Sequence, residues 1–233
     1  MASEKNKGIN EPNAIENLDS RLTGAGEKLV NNKKIVYWTL GGIVAVAVFV
    51  MSYFFIYKNP RTNNSWEAYN KVMLQQMKGE VTDSAAAVQY KKVADDYSGT
   101  DAAAVASLAA SQAFYDEGKY DDAIKYLEKS NLSEPILASQ AKVLLGDCYV
   151  NKGDKFYSKA IDAYQTAIKK ADSNPQIVPA VLIKEANVYD AQKNYAKALE
   201  CYEQIKTGYP KFRFGNGMSI DGYIAREKAR LGK

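Results

Sequence analysis

From Ile35 to Tyr57 the chain reads IVYWTLGGIVAVAVFVMSYFFIY, 23 residues without a charge, bounded by Lys33 and Lys34 on one side and Lys58 on the other. As a helix this stretch would reach roughly 34 Å at about 1.5 Å per residue, enough to cross a hydrocarbon core of about 30 Å with slight tilt. A buried helix of a water-soluble domain rarely runs so long without a polar face. Tyr37 and Trp38 at one end, and Tyr53 and Tyr57 at the other, fall where a lipid interface favours rings with a polar edge. A cleaved signal peptide does not fit, because the apolar core is too long and ends in Phe54, Phe55, Ile56 and Tyr57 rather than in small residues. A lipoprotein anchor would need a cysteine just after the core, and the two cysteines are Cys148 and Cys201. The expectation is one permanent transmembrane helix, 35–57.

Beyond the span about 170 residues remain, enough for one domain with its own core. A mean hydropathy of −0.38 argues against further spans. The net charge of +4 is spread without a basic block, which gives nucleic-acid binding no support. The chain has no histidine at all. That removes the usual general base, the usual metal ligand and every Ser-His or Cys-His arrangement. Cys148 and Cys201 lack metal-ligand spacing and sit inside helical patterns; they read as small buried hydrophobes, with a disulfide as the alternative.

Ahead of the span, residues 1–34 form a tail in which Ile15, Leu18, Leu22, Ala25 and Leu29 recur at three or four. With Asn13 and Glu16 as a capping pair this predicts a short amphipathic helix, one that rests on membrane lipid or a partner, or folds only when bound. Arg21, Lys28, Lys33 and Lys34 before the span outnumber Lys58, Arg61 and Lys71 after it. The positive-inside rule therefore predicts a cytoplasmic tail and an external domain. Residues 58–65, KNPRTNNS, read as a tether shorter than roughly 30 Å, with Ser65 capping a helix from Trp66.

Residues 66–233 have helical periodicity and repeat themselves. In YDDAIKYLEKSNLSEP, Tyr120, Ala123, Leu127 and Pro135 stand at the same offsets as Tyr195, Ala198, Tyr202 and Pro210 in NYAKALECYEQIKTGYP. Between them lie Tyr157, Ala160, Tyr164 and Ala167, preceded by Leu145, Gly146 and Tyr149; a worn first copy supplies Ala86, Tyr90 and Val93. The alanines recur at steps of 37, 37 and 38 residues. A helix pair cannot bury its apolar face alone, so pairs stack, and a small residue is needed where two backbones approach closely. The tyrosines at positions 90, 120, 149, 157, 164, 189, 195 and 202 fall on packing positions and are expected in the core. SIDGYIAREKARLGK reads as a closing amphipathic helix with Ser219 as its cap.

This pattern resembles the tetratricopeptide repeat, a helix-turn-helix unit of about 34 residues. It departs from that pattern at Lys193, where glycine is usual, and in an inner turn lengthened around Lys155 and Phe156. The fold class expected is all-α: one N-terminal transmembrane helix, then a tetratricopeptide-repeat α-solenoid of about four helix pairs with a C-terminal capping helix. In such arrays the first helix of each pair lines a concave groove. Carried onto this chain, the resemblance implies groove positions at Lys71, Gln75 and Lys78; Val105, Leu108, Gln112, Tyr115 and Asp116; Val143, Asp147 and Asn151; and Ile183, Asn187 and Asp190. The run of lysine, asparagine and arginine by which some of these domains clamp a terminal carboxylate is absent.

No constellation of serine, lysine or paired carboxylates marks an active site, and the glycines of KFRFGNGM neither follow a strand nor carry a phosphate-loop lysine. The expectation is a binding protein, not an enzyme, with no cofactor. The arrangement of tail, span, tether and repeats is similar to the YfgM-like ancillary subunits of the bacterial Sec translocon. That resemblance implies a single-pass inner-membrane protein with a periplasmic repeat domain. Its implied partners are Sec translocon subunits, a periplasmic chaperone or isomerase, secreted polypeptide clients and membrane lipid. A scaffold of another envelope assembly, for secretion, gliding or cell division, and a membrane-tethered regulator stay open beside it. Gly41 and Ala45, one turn apart in the span, form a candidate helix contact within the membrane.

Overall fold

The computed structural model describes residues 33–213 and 219–232. The amphipathic helix expected from Asn13 to Leu29 lies outside the described residues. The chain divides into two units, Met1–Asn59 and Pro60–Lys233.

In the first unit Lys33–Ser52 is an α-helix (α1), and Tyr53–Lys58 continues in π-helical form. Its apolar side chains face outward: Trp38 is 82 % and Phe49 75 % exposed. Among the described residues one helical run, beginning at Val36, is long and apolar enough to cross a membrane.

The second unit opens with α2 (Asn59–Met77), which starts seven residues ahead of the expected Trp66. Ser65 is accordingly no N-cap but an interior residue, fully buried, its hydroxyl donating to the Thr62 carbonyl at 2.7 Å. Pro60 directly follows the π-helical turn, in which the Asn59 N–H donates to the Phe54 carbonyl. A tertiary contact overrides the turn-like composition of this stretch. Arg61 donates to the carbonyls of Asp96 and Ser98 at 3.2 and 3.1 Å, at the end of α3 (Asp83–Asp96).

The remaining helices are α4 (Asp101–Asp116), α5 (Tyr120–Lys129), α6 (Pro135–Asn151), α7 (Tyr157–Lys170), α8 (Ile177–Ala191), α9 (Tyr195–Gly208) and α10 (Ile220–Arg230). From α3 to α10 each helix packs on the next, and α4 also touches α6; α2 meets α3 through Val72 and through Tyr69 against Tyr90, so four pairs stack as a solenoid closed by α10. The lengthened inner turn of the third pair is a single 3-10 turn, Asp154–Phe156. Threonine, asparagine and serine caps start the helices where the sequence supplies them: Thr82, Thr100, Asn194 and Ser219 each accept a backbone N–H.

Ala86, Ala123, Ala160 and Ala198 are each 0 % exposed. Tyr90, Tyr149, Tyr164 and Tyr202 are buried, while Tyr120, Tyr157, Tyr189 and Tyr195 are half-buried beside them. Tyr126, outside that expected set, is also buried, and its hydroxyl donates to Asp95 at 2.8 Å. Lys193 takes the left-handed conformation, φ 59°, that Gly118 takes at φ 73° in the equivalent turn. Both cysteines are free and buried.

Two carboxylates, Glu185 and Glu227, are buried. Glu185 on α8 is 4 % exposed and accepts from the Gln165 amide at 2.9 Å. Burial raises its pKa, and the hydrogen bonds from Gln165 and Tyr189 offset this only in part. An acid whose folded pKa is raised contributes stability that is complete below its unfolded pKa, about 4.3, and is lost as pH rises through the folded value.

Two outcomes follow from this packing. Ala160→Trp overfills the stack and lowers stability by about 1 to 3 kcal/mol in denaturant unfolding. Glu185→Gln leaves the melting temperature nearly unchanged near pH 4 and raises it at pH 7, a divergence that thermal unfolding across this range detects.

Candidate functional site

The first helices of successive pairs, α4, α6 and α8, present one face to a common concavity. Local signals set their starts. Thr100 caps α4 through the Ala103 N–H at 3.2 Å. Glu134, just before Pro135, accepts from Ile136 and Leu137 at 3.1 and 2.7 Å. Asn174 accepts from Gln176 and Ile177 at 3.0 and 3.2 Å.

The larger cavity, about 510 Å³, is floored by Leu108, Ala109, Val143, Leu144, Ile177, Ala180 and Val181 and rimmed by Gln112, Gln140, Gln176, Asp147 and Lys184. A smaller one of about 260 Å³ adjoins it, lined by Tyr115, Val150, Asn151, Tyr157, Tyr164, Asn187, Val188 and Ala191 together with the same Asp147 and Lys184. These two shared residues mark the boundary between the cavities. Lys184 Nζ donates to both Asp147 carboxylate oxygens at 2.9 Å, and the Tyr164 hydroxyl donates to the same carboxylate at 2.7 Å. Asn151 donates to the Tyr115 hydroxyl at 3.1 Å and to the Asp147 carbonyl at 2.9 Å.

Gly146 makes this arrangement possible. A Cβ there would lie 2.3 Å from Cε1 of Tyr164, so only glycine lets the ring pass to reach Asp147. Burial, and next the Asp147 charge, drives the Tyr164 hydroxyl far above its usual pKa, so it stays a donor. Burial, with Asp147 adjacent, likewise pushes the Cys148 thiol up to about 12, which makes it a poor nucleophile.

The expected groove residues are placed as follows. Leu108, Gln112 and Asp147 line the larger cavity; Tyr115, Asp147, Asn151 and Asn187 line the smaller. Asp116 lines neither cavity; it is exposed and accepts from Gln112 at 3.0 Å. Lys71 and Gln75 lie on α2 and line neither cavity. Asp190 is joined to Arg226, at 3.2 Å, and to Arg230, both on α10, so it holds the capping helix. Ile183 packs into the core beside Leu182. On α8 the larger cavity is lined by Ile177, Ala180, Val181 and Lys184, and the smaller by Lys184 together with the expected Asn187. Lys184 and Gln140 were not anticipated; the i, i+4 relation of Ala180 to Lys184, matching Val143 to Asp147, is the signal that could have found the lysine. In the first unit Gly41 and Ala45 are exposed on α1, and a Cβ at Gly41 would meet nothing described within 4 Å.

Among the described residues no group of three or more His, Cys, Asp or Glu side chains is placed to hold a metal ion.

Comparisons with known proteins fit this architecture. Residues 84–188 match a tetratricopeptide repeat-like domain, and residues 180–211 match a tetratricopeptide repeat. Among solved structures, one of the MamA protein superposes with a TM-score of 0.54 at 23% identity, covering 74% of this chain and 83% of that one. A second MamA structure gives 0.52 at 24% identity, covering 68% and 82%. At this identity the likeness concerns the fold. No curated protein matches the chain by sequence. With the alanine ladder, the stacked helix pairs and the repeat models that match residues 84–188 and 180–211, this part of the chain has the tetratricopeptide-repeat fold.

Proposed function

We propose that this chain is a membrane-anchored, non-catalytic scaffold whose groove holds an extended, uncharged stretch of a partner polypeptide. The observation that carries this reading is the composition of the larger cavity. Its floor is apolar, its rim offers three glutamine amides, and its two charges, Asp147 and Lys184, neutralise each other. Such a surface penalises a charged segment, which would lose hydration without gaining a free counter-ion. It favours apolar side chains, with amides available to backbone groups along the rim.

Emerging secreted chains have this chemistry before they fold. In the finer form of the proposal, α1 spans the bacterial inner membrane with the tail in the cytoplasm and the repeats in the periplasm. It joins Sec translocon subunits through a face that includes Gly41 and Ala45, next to a periplasmic chaperone or isomerase, and the groove meets secreted clients. The span, the absence of histidine and the neutral groove support this reading; the resemblance to YfgM-like subunits supplies the named partners.

Photo-crosslinkers at Trp38 and Gln112 in the membrane-bound chain test it. Trp38 is expected to trap channel subunits and Gln112 secreted clients. Capture of one envelope protein at Gln112, with lipid alone at Trp38, would replace the translocon reading with a scaffold of another assembly. In the purified chain, Val143→Glu is expected to weaken binding of uncharged apolar peptides about tenfold or more, equivalent to about 1.4 kcal/mol, as read by fluorescence anisotropy. Equal binding by the variant would remove the groove from the proposal.

A further inference from the structure

The two ends of the solenoid differ. At the far end α10 offers Asp221, Lys228 and Arg230 to solvent, as a terminal lid should. At the near end α2 turns Trp66, Asn70, Leu74 and Met77 outward, with half-buried Met73 beside them, and Met77 is 76 % exposed. One repeat later, the positions matching Trp66, Asn70 and Met73 are Ala103, Ser107 and Ala110 on α4, all buried. There they are small because another helix backbone lies close. On α2 the same positions are large, so this face is shaped neither for a further repeat of the same kind nor for water.

Asn63, Trp66, Asn70, Met73 and Met77 alternate in steps of three and four, the seam of a two-stranded coiled coil. Asn70 lies in the middle of that seam. Its amide is donor and acceptor at once, so its natural partner is the same amide on an identical helix, as buried asparagines specify parallel pairing. Lipid would leave that amide without a partner. With Asn70 as the first seam position, Tyr69 and Gln76 flank the seam on one side and Glu67 and Leu74 on the other, so no like charges face each other across a parallel pair.

We propose that α2 is a self-association surface, on which a second copy of this chain docks in parallel through the Trp66–Met77 seam. Two heptads are marginal for free helices. Here each helix is already held by its own repeats, and shared anchorage raises the effective concentration. The parallel orientation rests on the anchor reading given above; the seam itself does not.

Single cysteines placed in turn along α2 of the full chain in membranes test this, since Cys148 and Cys201 are buried away from reagent. Disulfide-linked dimers should form several-fold more readily at Asn63, Trp66, Asn70, Met73 and Met77 than at Asn64, Lys71 and Gln75. Met77→Glu should reduce the dimer fraction several-fold at an unchanged melting temperature. Uniform crosslinking along the helix would show mere collision of anchored chains and overturn the proposal. So would crosslinking to a different protein alone, or quenching of Trp66 fluorescence by brominated lipid in a Trp38→Phe chain. If alkaline carbonate released the chain from membranes, the anchor reading would fail while the same scan on the released protein still judged the seam.

Discussion

The close approach of helix backbones at Ala86, Ala123, Ala160 and Ala198 is the contact on which the stacking depends. Each of these residues lacks any side chain beyond Cβ, and each is wholly excluded from solvent. Ser111, Gly146 and Ala186 on the first helices of the later pairs are small and buried as well. Close-packed interiors tolerate little change in volume, so these positions set the distance between pairs. Tyrosines then fill the wedges left between them. A tyrosine in a wedge brings a hydroxyl into a place where water is scarce, and the carboxylates Asp95 and Asp147 answer that need for Tyr126 and Tyr164.

Packing and groove chemistry are thereby one system. Gly146 admits the Tyr164 ring, the ring presents its hydroxyl to Asp147, and Asp147 holds Lys184 from the next first helix. The charge pair that makes the groove neutral is a by-product of how the third pair packs on itself. Lys184 is only partly exposed in this pair, so its Coulomb attraction is screened less than that of a fully solvated bridge, and the hydrogen bonds give it a fixed direction. A change at Gly146 would therefore reach the groove without touching it.

How far these features could be read from the residues alone depended on how local their causes are. The alanine steps, the positive-φ turn at Lys193 and the closing helix capped by Ser219 arise from local patterns, and the repeats expose them. The start of α2 does not. KNPRTNNS has the composition of a turn, and what makes it helical is Arg61 reaching the carbonyls of Asp96 and Ser98, more than thirty residues away. Groove residues fared unevenly for the same reason. Leu108, Gln112 and Asp147 lie in repeats with clear register; on α8 Asn187 lines the smaller cavity as expected, whereas Ile183 packs against the core and Lys184 stands at the groove. Asp190 has a groove-like position in sequence, but only the docked α10 reveals that its charge is matched by Arg226 and Arg230.

Those arginines also explain why the two ends of the stack behave differently. Glu227 on α10 is fully buried, yet it is flanked by Arg226 at 2.6 Å and Arg230 at 3.3 Å, and the same arginines extend to Asp190. Removing one member would leave a desolvated charge unmatched, which is far costlier than the pairing is stabilising. The network thus specifies one seating of the cap on α8 more than it adds to stability. Among the described residues no such network covers the exposed face of α2, where Trp66 and Leu74 stand at the positions that Ala103 and Ser111 hold, buried, on α4. A solenoid terminated by specific charge pairing at one end and left apolar at the other has a direction. In this chain the apolar end is the one whose sequence follows immediately on the apolar helix, so the proposed self-association through α2 would use the start of the repeats and leave the groove free.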